Sequence, residues 1–154
     1  MDDLNGLYNQ LLTAGCNRFY IDGVGGPQHD DVDCLGCNQG VWEVYYMERG
    51  HASPPFFSTP HLQEAIDYYY QHIMSIEHWH LVTFTRSFQL KENRKIQLQQ
   101  AGIPIIENNI PNYAQPGDLV YRQFITNEHI FKAKQLLIVV PYMDEGLQNQ
   151  PMAR

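Results

Sequence analysis

Cys34 and Cys37, spaced C-x-x-C, are the residues of this 154-residue chain whose type and spacing first suggest chemistry. Two thiolates at that spacing hold half of a zinc site or cycle as a redox dithiol. A zinc ribbon needs a second such pair, and Cys16 is the only other cysteine. Seven histidines could complete a mixed site, yet no H-x-x-x-H-type pair lies at finger spacing beyond Cys37. A redox dithiol belongs at a helix N-terminus after a strand, whereas Asn38-Gln39-Gly40 reads as a turn before a strand. Structural cysteines in a reduced compartment are therefore expected. A small zinc-binding or metal-dependent enzyme domain using Cys34, Cys37 and histidines is the alternative.

The remaining candidates are weaker. His78-Trp79-His80 would place two imidazoles on one face of a strand, but no third metal ligand is evident. Gly23-Val24-Gly25-Gly26 follows a predicted strand as a phosphate-binding turn would. It lacks the third glycine of that motif, and acidic residues follow it, which repel a phosphate. Glu43 and Glu48 are five apart on a predicted strand, so they face opposite sides and cannot share a substrate. Neither G-x-S-x-G nor H-E-x-x-H occurs. No catalytic residue, cofactor-binding residue or metal ligand is assigned, and an enzyme is not expected.

Charge is more informative. Seventeen Asp and Glu against ten Lys and Arg give a net charge of −7. That balance argues against nucleic acid as a direct partner, because phosphate binding is driven by Lys and Arg. A basic protein is the complementary partner. Residues 1–85 carry eleven carboxylates but only Arg18 and Arg49, a net −9, and the rest of the chain is +2. The densest run is His29-Asp30-Asp31-Val32-Asp33 in a glycine-rich stretch. It reads as a solvated turn, as aspartates satisfying local N–H groups, or as an acidic surface for a basic cleft. Calcium is disfavoured, because EF-hand spacing is absent.

These residues need elements to position them, and 154 residues are enough for one domain with an unaided core. Leu4, Leu7, Tyr8, Leu11 and Leu12 share one face of a helix over about residues 3–14. Arg18 to Asp22 reads as a short strand, Gly23 to Gly40 as a loop, and Val41 to Arg49 as a strand. Thr59 as N-cap and Pro60 as first residue open a helix whose apolar stripe includes Leu62, Ala65, Ile66, Tyr69, Ile73 and Ile76. His78 to Thr85 is a strand or amphipathic turn, Arg86 to Gln100 a helix, Leu119 to Thr126 a strand and Asn127 to Gln135 a short helix. Leu136 to Val140 has no assignable period. Irregular alternation of the two types predicts an α+β fold, with a mixed or antiparallel sheet and three to four helices. No apolar run is long enough to span a membrane, and the start has no signal-peptide pattern, so a cytoplasmic protein is expected.

Tyr45, Tyr46, Tyr68, Tyr69, Tyr70, Trp42 and Trp79 exceed what the predicted faces should bury, and surface Tyr and Trp are common interface anchors. Asp31-Val-Asp-Cys-Leu35, then Gly40-Val-Trp-Glu-Val-Tyr-Tyr-Met-Glu-Arg-Gly50, Phe57 and the helix with Glu64, Ala65 and Tyr69 complete a pattern over roughly residues 20–75. It resembles immunity proteins of bacterial polymorphic-toxin and contact-dependent growth-inhibition systems. The resemblance implies a small cytoplasmic protein that binds and blocks the C-terminal domain of a cognate toxin. Many such toxins are nucleases with basic clefts, tRNases among them, for which an acidic inhibitor imitates the phosphate backbone. Charge density nominates Asp22, Asp30, Asp31 and Asp33 as toxin contacts. Glu48-Arg49-Gly50 is expected to be structural, with Arg49 pairing a carboxylate and Gly50 allowing a turn.

Overall fold

The computed structural model describes residues 3–147. Two compact units are distinguishable, residues 1–78 and 79–154, each with its own sheet and core. Four helices and nine strands in two sheets, counted among the described residues, make the fold α+β, as the irregular order of elements predicts. No helix among those residues is long and apolar enough to cross a membrane.

The first unit opens with α1 (Leu4–Thr13), whose N-cap Asp3 accepts a 2.7 Å bond from the Gly6 N–H. Strands β1 (Tyr20–Ile21), β2 (Val32–Asn38), β3 (Val41–Glu48), β4 (His51–Ala52) and β5 (Phe57–Thr59) follow, then α2 (Leu62–Met74). The sheet runs β1-β2-β3-β4, with β5 also on β3; β1 is parallel to β2 and the other pairings are antiparallel. Leu7 and Leu11 of α1 and Ala65, Ile66, Tyr69 and Ile73 of α2 bury completely against Phe19, Ile21, Leu35 and Val44.

Some expectations give way to the structure. The stretch Gly23 to Gly40 is not all loop, because β2 occupies Val32–Asn38. Aspartate, glycine and cysteine give it little strand character of its own, yet all seven residues pair with β3. Its return is a two-residue turn with Gln39 and Gly40 both at positive φ (52° and 80°), whose twist suits a hairpin. Arg49 and Gly50 repeat that geometry (49° and 79°) between β3 and β4, so Arg49 is a turn residue. Thr59 does not cap α2: it closes β5, its hydroxyl accepts from the His61 N–H at 3.2 Å, and His61 holds the cap position. Tyr69 is fully buried rather than a surface anchor.

The second unit contains β6 (Trp79–Thr85), α3 (Phe88–Gln100), β7 (Ile106–Glu107), β8 (Tyr121–Thr126), α4 (His129–Leu136), β9 (Tyr142–Met143) and a short 3-10 turn. Its sheet order is β7-β8-β6-β9. Val82 and Ile125 pack with Leu98 of α3 and Ile130 and Ala133 of α4. The predicted helix at Arg86 starts two residues later, because Ser87 is the N-cap and accepts from the Leu90 N–H at 3.1 Å. Residues 137–140 form neither helix nor strand.

Arg86 ties the end of β6 to the turn before β8. Its Nε and Nη2 donate to both oxygens of Asp118 (2.7 and 3.0 Å), and the Ala114 N–H adds a third bond at 2.9 Å. Arg86 and that backbone donor hold the Asp118 carboxyl at about 2, below the 3.8 of a free aspartate. The folded state thus prefers the ionised group. Its stabilisation is present above the free value and is lost as pH falls from about 4 towards 2. Asp118→Asn is expected to lose less thermal stability between those two pH values than the parent chain. Equal losses in paired melting curves would refute this.

Candidate functional site

Charge follows the division into units. Residues 1–78 hold the same eleven carboxylates, Arg18 and Arg49, for a net −9, while residues 79–154 are +2. Because residues 78–85 contain no Asp, Glu, Lys or Arg, the boundary falls within an uncharged stretch.

The four nominated aspartates do not share one face. Asp22, just past β1, donates its N–H to the Leu35 carbonyl (2.9 Å), and its carboxylate accepts from the Tyr45 hydroxyl (2.8 Å). Continuing the parallel register Ile21↔Leu35 sets Asp22 beside Gly36. Asp33 is three residues from Gly36 on the same strand, and the pleat therefore turns it to the opposite face. There its carboxylate lies 2.7 Å from His72 Nε2 of α2, and its carbonyl accepts from the Tyr69 hydroxyl at 2.5 Å. Asp30 and Asp31 are exposed in the loop before β2, their carbonyls held by Gln28 Nε2 at 2.8 and 3.1 Å. The Arg18 guanidinium also reaches the Asp31 carbonyl (3.3 Å).

Two acidic surfaces result. On the helix-bearing face, Asp33 neighbours Tyr46 across the β2–β3 ladder. Burial, followed by the fields of Asp31 and Glu48, pushes the Tyr46 phenol up. His72 lies between the rings of Phe56 (5.3 Å) and Tyr68 (6.0 Å), and Tyr68 stacks on Phe57 at 3.8 Å. Several of the surplus aromatics thus pack on one another.

The other face contains a cleft of about 200 Å³ lined by Asp22, Gly36, Glu43, Tyr45 and Ser53, among others. Gly36 pairs with Glu43 on β3, so Glu43 flanks the glycine from one side and Asp22, just past β1, from the other. The missing side chain makes room for Asp22: a Cβ on Gly36 would overlap the Asp22 carboxylate and touch the Tyr45 ring. Burial, and then the bond to Asp22, pushes the Tyr45 phenol up, so it remains a neutral donor at physiological pH.

The cysteines are positioned apart. They stand three positions apart on a strand, so Cys34 and Cys37 project to opposite faces and cannot grip one ion together. Cys34 is buried, and burial with the fields of Asp22 and Asp33 pushes its thiol up to about 12, which disfavours the metal-binding thiolate. No group of three His, Cys, Asp or Glu side chains converges as a metal cage among the described residues. His78 precedes β6 and is buried, so it does not share an exposed strand face with His80. Its Nδ1 accepts from the Asn17 and Arg18 N–H groups (3.1 and 3.2 Å), and its Nε2 donates to the Ile73 carbonyl (3.0 Å).

The sequence reading contained Asp22 but missed its association with Gly36, Glu43 and Tyr45. Alternation along β3 puts Glu43 and Tyr45 on one face, a readable signal; the β1–β2 register that adds Asp22 is tertiary. Set against family models, curated proteins and solved structures, the chain matches none.

Proposed function

We propose that this chain is an immunity-type inhibitor that binds and neutralises a toxin domain by stoichiometric occlusion, with no reaction of its own. The observation that supports this most is the concentration of negative charge in one compact unit, −9 over residues 1–78, which also holds a cleft lined by Asp22, Glu43 and Tyr45. Such a surface complements the basic cleft of a nuclease, a tRNase for example. It attracts that cleft over roughly a Debye length and orients the encounter. Tyr45, half-buried in that cleft, adds ring surface of the kind that anchors interfaces. In this reading the protein works in the cytoplasm, where the delivered toxin acts, and touches neither nucleic acid nor membrane directly.

Co-expression tests the proposal. The C-terminal domain encoded by the gene immediately upstream is expected to arrest growth alone. Together with this chain it is expected to be harmless and to purify as a one-to-one complex. Continued arrest despite soluble expression of both proteins would refute the proposal.

A further inference from the structure

The cleft on the face of the first sheet opposite Asp33 and α2 suggests a more specific role. The Asp22 carboxylate lies over Gly36, which has no side chain to displace it, and Glu43, paired with Gly36 from β3, lines the cleft beside it. Tyr45 closes it with an aromatic ring, while its hydroxyl holds Asp22 at 2.8 Å. A hollow with negative sides and an aromatic wall suits a flat cation. A guanidinium donates in its plane to carboxylates on either side and stacks its face on a ring, whereas an ammonium offers only a point charge. We propose that this cleft is the receptor for a single arginine side chain of the bound protein. The identity of that protein rests on the inhibitor reading above, but the chemistry of the cleft does not.

The test uses the full chain and argininamide as the probe, followed by amide chemical shifts. Saturable shifts centred on Gly36, Glu43 and Tyr45 are expected. Citrullinamide, the uncharged isostere, should leave them in place. Glu43→Gln and Asp22→Asn should each weaken binding at least fivefold. The amide oxygen introduced by Asp22→Asn still accepts from the Tyr45 hydroxyl, so that variant isolates charge from structure. Glu64→Gln, on exposed α2 surface, should bind as the parent does. Shifts scattered over all acidic positions, or equal affinity in the cleft variants, would overturn the proposal. Spermidine distinguishes the other source of cationic nitrogen: if it fills the cleft more tightly than argininamide, the site belongs to a free polycation and the proposal fails. A chain that binds argininamide in the cleft yet gives no protection in co-expression would retain the arginine receptor and lose the toxin reading. The two failures are therefore separable.

Discussion

Replacing His78 with alanine is expected to destabilise the first unit by about 3–5 kcal/mol, the sum of several lost hydrogen bonds and a buried void. The imidazole is buried and bonds to three backbone groups. Its Nδ1 faces two N–H donors and so accepts, while Nε2 faces the Ile73 carbonyl and so carries the proton. One neutral ring thereby joins the segment after α1 to the last turn of α2. Alanine removes the acceptor that the Asn17 and Arg18 N–H groups share, and losing a hydrogen-bond partner at a partly or fully buried donor costs about 1–3 kcal/mol. Hydrogen exchange in the intact chain reads this directly, as faster exchange at those two amides together with a lower denaturation midpoint. Unchanged exchange at both would contradict the assignment.

Tyr69→Phe is expected to cost about 2–4 kcal/mol although it leaves the core volume unchanged, because the loss is of hydrogen bonds alone. The Tyr69 hydroxyl receives the Tyr20 N–H at 3.1 Å and donates to the Asp33 carbonyl at 2.5 Å. It thus bonds to both β1 and β2 from the helix, at the point where the two strands pair in parallel. Burial pushes this phenol well above its ordinary value. Its folded form prefers to stay neutral, so its contribution is full below pH 10 and declines as pH rises beyond that. The phenylalanine variant should lose that part of the alkaline dependence. Urea midpoints compared at neutral pH and above pH 10 check both effects, and a cost below about 1 kcal/mol would show that the hydroxyl is not structural.

Legibility in the sequence tracked how local the signal was. α1, β3 and α2 carry periodicity in their own residues, with Leu7 and Leu11, alternating Trp42 and Val44, or Ala65, Ile66, Tyr69 and Ile73 marking the buried side. β2 has no such pattern, since Asp33, Gly36 and two cysteines owe their extended form to β3. The acidic run was legible as charge but not as geometry. The pleat divides Asp22 from Asp33, and His72, thirty-nine residues later, takes up the Asp33 carboxylate. Asp22 lies just past β1, Gly36 on β2 and Glu43 on β3, and only the pairing of those strands turns a glycine and two acids into a cleft.

In the proposed role, the acidic first unit finds and covers a basic toxin domain. The most direct measurement is the association rate of the intact chain with the C-terminal domain encoded upstream, taken from about 0.05 to 0.5 M salt. A one-to-one complex is expected, with association slowing about tenfold or more over that range as electrostatic steering is screened. Asp22→Lys with Glu43→Lys should associate more slowly at low salt and respond less to added salt. A rate indifferent to both salt and charge reversal, or no complex at all, would contradict that role.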